Sequence, residues 1–494
     1  MSLKYSLTIL SILIFSYANA QSFSAKVIDR DTKEPISYAT IETGLYQGMV
    51  SNEEGEFTFL LENVKQPQDS IYISYMGYET KGLVFEENEG ITIALLPRLY
   101  ELKEVFLTTE LLTIKEIIER VKDNLDKNYT SILTKKKIFF RHSDISNIKK
   151  MDFGFKKSTI DELNKKLLDS ITKILPKKSS YYKEVVADLY GDYNNYKLNI
   201  NKAAELYDKN NDISLSGIEK KLEVIFNENI KKDSYLKIKS GFFSTKKQVD
   251  SILHENEEAK AASEKKKKEG TLEFQEQISN QIANLYEQLF FQEGSIIDVL
   301  DNSGRYNFTL DNYTVINEMA VYILQFTPKG GKDFKGTMYV NTQDFAIVRL
   351  DFENVKPLSN FALLGITYRN NIYKGKMLFD KDENGSYSPR FLELLDGSYM
   401  GFDRPVKVIE KNKNVRGRRK QNELFLKLHI QGNQLQKQEL VVFESENITQ
   451  SSFDLVEGKQ IIKATYLSKY DPMFWKDYSI MEPNEAIESF KVVE

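Results

Sequence analysis

From Arg305 to about Phe443 the chain is a procession of short segments in which apolar and polar residues alternate. YNFTLDNYTVI, MAVYILQFTP, KGTMYVNTQDFAIVRLDFE, FALLGITYRN, YKGKMLFD, SPRFLELLDGSYMG and LFLKLHIQG follow one another across short polar turns. Period-two alternation marks strands with one buried face, and short turns between them give an antiparallel meander of six or more strands. An outer-membrane barrel is the competing architecture. It needs strands of ~10 residues with a lipid-facing apolar side and aromatic girdles. Residues 483–494 are polar and look helical rather than like a closing strand, which argues against the barrel.

A second strand-rich region lies at the start. Val27-Ile28-Asp29 opens a strand, Asp31 to Lys33 make a polar turn, and Pro35 begins ISYATIETG, where a missing N–H does least harm. Asn52-Glu53-Glu54-Gly55 reads as a hairpin turn, with Gly55 free to take positive φ, and Phe57 and Phe59 follow on one face. SIYISYMGYET and ITIALL supply further strands, and this spacing argues for a small sandwich. Pro35 to Ile41, Asn52 to Phe57 and Ser74-Tyr75-Met76-Gly77-Tyr78 together resemble the carboxypeptidase regulatory-like domain, a transthyretin-type β-sandwich. The resemblance covers residues 21–108 and implies a fold-building accessory module, with no peptidase attached. Ser51-Asn52 stands where that family often has Thr-Asp, which keeps the turn-capping chemistry. Gly336 to Glu353 looks like the strand–turn–strand signature of periplasmic half-barrels resembling lipoprotein carriers, over one hairpin.

Between the two β regions the period changes. Thr113 can cap a helix carrying Ile114, Ile117, Ile118, Val121 and Leu125 at helical spacing. Ile160, Leu163, Leu167, Ile171 and Ile174 form a second amphipathic stretch ending before Pro176, and Leu272 to Leu289 a third. KKKIFFR, EVVADLYGDYNNYKLNI and YLKIKSGFF read as strands. The fold class is therefore α+β and β-rich, with an N-terminal seven-stranded-type sandwich and a larger antiparallel sheet region with packed amphipathic helices. The expected division is a signal peptide at 1–20, the sandwich at 21–108, an α+β region at 109–300 with a charged linker at 252–270, and a sheet domain with a helical tail at 301–494.

Residues 1–20 carry the signal: Lys4, an apolar run from Leu7 to Phe15, and Ala18-Asn19-Ala20 as a small-x-small cleavage site. The run is shorter than the ~20 apolar residues a spanning helix needs. This predicts an exported protein, in the periplasm or at the inner face of the outer membrane. The chain has no cysteine, so disulfides, thiolate metal sites and cysteine nucleophiles are excluded. A formal charge of −4 over 494 residues supplies no overall field toward nucleic acid or anionic lipid.

No catalytic constellation emerges. The histidines are His142, His254 and His429, and HExxH is absent. His254 to Glu257 formally fits the HxxE zinc pair of metallocarboxypeptidases, but it sits in the charged linker with no strand to fix its ligands. Asp380, Asp382 and Asn384, followed by Gly385, match the first half of a calcium loop, where alternate carboxylates converge on a hard cation. The twelfth position is Phe391 rather than a bidentate Glu, so a polar hairpin turn is the preferred account. GxSxG, GxxxxGK[ST] and GxGxxG are absent. Two basic runs, Lys265 to Lys268 and Lys411, Lys413, Arg416, Arg418, Arg419 and Lys420, suit either solvated loops or phosphate contacts. The sequence predicts no cofactor, no metal and no nucleic acid. It predicts a non-enzymatic envelope protein whose sandwich docks a protein partner and whose C-terminal sheet shelters a ligand, lipid among them. The alternatives are a periplasmic hydrolase of peptide or glycan using carboxylates that nothing singles out, and a lipid carrier. The carrier requires an apolar cavity between the sheet and the helix at 160–174 or 272–289.

Overall fold

The computed structural model describes residues 22–44, 47–60, 70–84, 90–98, 112–252, 272–316, 319–382, 384–413, 417, 419–458 and 462–492. The expected signal peptide and nearly all of the 252–270 linker, His254 included, lie outside these residues. The molecule is β-rich and joins a small sandwich to a large antiparallel sheet that curls around one helix.

The sandwich has seven strands: β1 (Ser22–Asp29), β2 (Thr40–Gly44), β3 (Gln47–Val50), β4 (Glu56–Leu60), β5 (Ser70–Ser74), β6 (Lys81–Val84) and β7 (Ile91–Leu95). One sheet runs β4–β1–β7, with β7 parallel to β1, and the other β3–β2–β5–β6. Strict alternation of burial along β1 places Phe23, Ala25 and Val27 against Ile41, Phe57, Ile73 and Ile93. The predicted turn at Asn52 forms as the chemistry requires. Its Oδ1 accepts from the N–H groups of Glu54 and Glu56, and Gly55 takes φ 78°, where a Cβ would strike the Val27 carbonyl.

Helix α1 (Ile114–Asp123) has the full capping box, Thr113 with Glu116, and buries Ile117, Ile118 and Val121. Three strands are far longer than their sequence segments suggest: β8 (Thr134–Ser158), β19 (Tyr387–Asn412) and β20 (Lys420–Asn447). Around them lie β9 (Lys178–Gly191), β10 (Tyr196–Tyr207), β13 (Tyr306–Ile316), β14 (Met319–Pro328), β15 (Phe334–Asn341), β16 (Ile347–Asn354), β18 (Ile366–Lys381) and β21 (Thr465–Leu467). Pairing runs β21–β10–β9–β8–β20–β19–β18–β16–β15–β14–β13, and the end strands β21 and β13 do not pair with each other among the described residues. Gln47 of β3 pairs with Glu444 of β20, so the sandwich continues the large sheet.

Helix α4 (Leu272–Glu287) lies in the curl. Its Ile278, Ile282 and Leu285, with Leu289 just beyond, share one core with Leu198 and Ile200 of β10 and with Val321, Leu324 and Phe326 of β14. Strands near opposite ends of the ladder thus meet the same helix, which defines an interior face. One side-chain row crosses that face through directly paired residues: Phe326, Gly336, Phe352, Gly375, Leu394, Gln438, His142, Lys183. At its start the row alternates Phe with Gly, and the rings cover the glycines. A Cβ at Gly375 would stand 2.8 Å from the Phe352 ring.

Two helices beside the extended ends of the long strands complete the fold, α2 (Lys165–Ile174) and α3 (Lys209–Asn229). Helix α3 had no sequence signal, because Gly217 and an Asn/Asp/Ser-rich first half blur its periodicity. FALLGITYRN is not one strand but the hairpin β17 (Ser359–Leu363) to β18, turning at Leu364-Gly365. YLKIKSGFF likewise turns at Gly241-Phe242, between β11 (Ser234–Ser240) and β12 (Phe243–Gln248). Of the tail expected to be helical, Glu485–Glu488 form one helical turn.

Candidate functional site: the interior face of the large sheet

On the interior face β20 reads Leu424, Leu426, Leu428, Ile430, Gly432, Gln434, Gln436, Gln438, Leu440, Val442. Two apolar stretches are separated by an amide stretch. The first principle of burial says that apolar surface will be covered and amides satisfied, and the three zones meet this differently.

The zone at Leu440 and Val442 is filled. Helix α4 packs against it with Tyr286, Phe290 and Tyr306 in a continuous core. Buried side chains thus pack between the sheet and the helix at 272–289, one of the two places where the carrier reading expects an apolar cavity. Two cavities lie at the junction of sandwich and sheet. One is of about 270 Å³, beside Met49, Phe59, Val186 and Tyr478. The other, about 420 Å³, is beside Tyr38, Lys376, Glu393 and Lys437.

The amide zone forms a belt. Gln434 and Gln436 donate to Asp144 of β8 at 2.9 and 3.1 Å. Gln277 of α4 accepts from Lys183 Nζ at 2.8 Å, and Asn284, two turns on, donates weakly to Gln438 at 3.4 Å. His142 stands between Lys183 and Gln438 in the row, and Gln281 stands between Gln277 and Asn284 on the helix. His142 Nδ1 and Gln281 Oε1 are both buried without a hydrogen-bond partner among the described residues. Burial, with the Lys183 charge beside it, pushes the His142 imidazole down to about 4.

The zone from Leu424 to Ile430 is the open one. Register extends it across five strands: Leu363, Ile366, Phe402, Ile430 and Met151 form one row, and Phe361, Tyr368 and Met400 flank it. At the β8 side Phe153 packs with Ile160, Leu167 and Ile171 of the α2 region and Ile225 of α3. At the other side cover fails, leaving Phe361 47%, Leu363 53% and Met400 52% exposed. The band is thus a trough with the helices as one wall and the amide belt as its closed end. Arg404 lies in the same face, beside Leu428. Its side chain is buried, forms no ion pair among the described residues, and leaves Nη1 without a partner.

The sequence-predicted candidates do not converge here. His142 is interior and His429 exterior, the latter 4.0 Å from Asp403. Asp380 accepts from Arg390 Nε at 2.5 Å, while Asp382 Oδ1 caps its own turn through the N–H groups of Asn384 and Ser386. The carboxylates of Asp380 and Asp382 are thus engaged within the hairpin. Of the basic run, Arg416 and Arg418 lie outside the described residues and Lys420 pairs with Glu423. A carboxyl with a raised pKa does occur: burial and the nearby Asp380 push Glu42 up to about 6, against the pull of Arg390. It sits at the sandwich junction and lines neither cavity. No motif pointed to the trough, whose signal is only the unbroken alternation of β20 over Leu424 to Ile430.

The class of the first domain follows from comparison with known families. Residues 23–107 match the CarboxypepD_reg-like domain, consistent with the sandwich. No curated protein is similar to the chain at a significant level. Among solved structures, a chain of the Pseudomonas aeruginosa MucA/MucB complex covers 68% of this chain and 99% of its own length at 7% identity. Its TM-score of 0.15 is too low to carry an argument.

Proposed function

We propose that this is a non-enzymatic binding protein of the bacterial envelope, whose trough on the interior face holds an apolar or amphiphilic ligand. The sandwich serves as a rigid docking module for an envelope partner. The observation that carries this reading is the five-strand apolar band, which runs out from beneath α2 and α3 and is left half uncovered. A sheet that needed only stability would bury such a band, at roughly 25 cal/mol per Å² of apolar area. The amide belt adds hydrogen-bonding groups at the closed end, the arrangement a ligand site uses to fix orientation. Export rests on the N-terminal sequence alone.

The test begins with mass spectrometry of an organic extract of the protein purified from its native envelope. A stoichiometric lipid or other amphiphile is expected. Titration of the stripped protein with a fluorescent apolar probe should then saturate at one site, and Met400→Asp with Ile430→Asp should weaken binding by at least tenfold. An empty extract together with no saturable probe binding would sink the trough reading and leave partner capture by the sandwich.

A further inference from the structure

We propose that the two hairpin turns at the free edge of β19 dock the protein on an anionic lipid bilayer. The residues involved are not those of the trough floor, and the proposal stands whether or not the trough holds a ligand. Strand β18 leaves β19 at Phe402 and β11 joins it at Lys407, so the β17–β18 and β11–β12 hairpins meet head to head across Asp403-Arg404-Pro405. The Asp403 N–H donates to the Gly365 carbonyl at 2.7 Å. Arg404 Nε donates to Ser240 Oγ at 2.7 Å, and its guanidinium lies 5.0 Å over the Phe243 ring. Two neighbouring residues therefore hold both turns together.

What the turns present is apolar. Phe242 is 94% exposed, Phe243 55% and Leu364 50%. Leu364 holds φ 50°, a conformation usually given to Gly or Asn. The sequence keeps a large apolar side chain there instead.

Charge decides the partner. Residues 231–250 carry six Lys against two Asp, and residues 398–431 nine Lys and Arg against three acids, in a chain of formal charge −4. By register Lys237, Lys239 and Lys246 share the exterior face with Lys407 and Lys411. Crowding by Lys239, with slight desolvation and then Lys411 and Lys246, pushes the Lys237 ammonium pKa down, which reports a locally positive field. Exposed aromatic and aliphatic side chains on turns beside a lysine-rich face suit the interface of an anionic bilayer, with rings at head-group depth and ammonium groups on phosphate. A flat hydrophobic patch, as in a protein–protein interface, would place such residues on a sheet face.

The experiment is co-sedimentation of the purified protein with vesicles of phosphatidylcholine alone or with about a third phosphatidylglycerol, an anionic fraction in the regime where polybasic surfaces bind. Binding is expected only with the anionic lipid, and to fall as salt rises. Phe242→Ser with Leu364→Ser should cut partitioning at least tenfold, and Lys237→Gln with Lys239→Gln severalfold. Phe242, Leu364 and Lys239 are exposed and Lys237 is half-buried, so circular dichroism and melting should be unchanged. Phe242→Trp should shift its emission to the blue on adding anionic vesicles, while the buried Trp475 stays constant. Wild-type protein that fails to bind, or binding untouched by the turn substitutions, would overturn the proposal. A self-association in solution abolished by the same substitutions would overturn it too, by assigning the turns to a second copy. Trough binding of the apolar probe is read separately and need not change.

Discussion

Burial holds the His142 imidazole near a pKa of 4, well below its ordinary 6.5, and this has a sign. As pH falls below 6.5 the unfolded chain takes up the proton first, so stability drops until the folded-state pKa is reached. The loss between pH 6.5 and 4 is up to about 3 kcal/mol. His142→Gln keeps a polar group in the amide belt and removes the titration. Urea unfolding at pH 7 and pH 5 should show a smaller difference for the variant than for wild type, and equal differences would refute the assignment. The same substitution should leave ligand and partner binding intact at pH 7. In the sequence His142 reads only as a structural histidine within or beside a strand. Its position between Lys183 and Gln438 comes from strand register, which no local pattern encodes.

At the scale of elements, the curl of the sheet depends on where glycines stand. Gly336 and Gly375 lie in the row under the rings of Phe326 and Phe352, and a side chain at either would overlap the carbonyl of Asp351 or Glu393. Covering a strand glycine with an aromatic ring is a known way to bend a sheet without opening a void. Gly336→Val should therefore destabilise by about 1–3 kcal/mol, the cost of overpacking a filled core. Thermal melting measures it, and a neutral result would mean the curl has other supports. The Phe and Gly residues were legible as strand residues. Their pairing was not, because β15 and β16 are adjacent in sequence whereas β16 and β18 are separated by the β17 hairpin. Helix α3 was missed for a local reason and the turns at Gly241 and Gly365 for another. In both hairpins the apolar run continues through the turn, at Phe242 and at Leu364, so nothing polar marked the reversal.

Over the whole molecule, the sandwich is locked to the sheet by an ionic cluster, buried on the sheet side and exposed at Glu53. Lys437 Nζ lies 2.9 Å from Glu53 of the sandwich and 3.0 and 2.8 Å from Glu393 and Glu439 of the sheet. Tyr38, held at φ 60°, donates to Glu393 at 2.6 Å and stacks on Phe391. Burial pushes the Glu393 carboxyl up, but Lys437 and Lys376 more than offset it and hold it below the ordinary value. Its contribution is present above the unfolded pKa and is lost as pH falls through the lower folded one, so the junction weakens only in acid. Lys437→Met leaves three carboxylates facing one another and should cost about 3–5 kcal/mol at pH 7, less once they are protonated. Chemical unfolding at pH 7 and pH 3.5 gives the comparison, and an undiminished cost at low pH would contradict it. On the same face, where Arg141 pairs directly with Glu439, Arg141 and Glu184, 2.7 Å apart, receive the tail through Met481, Glu482 and Trp475. By itself the sequence determined the sandwich, the meander and most of the amphipathic helices, because periodicity, turn glycines and caps act within a few residues. The tertiary structure alone decided that α4 fills one apolar zone of β20 and leaves the other open. Equal alternation along a strand cannot say which stretch a distant helix will cover, since that is fixed by pairing across residues hundreds of positions apart.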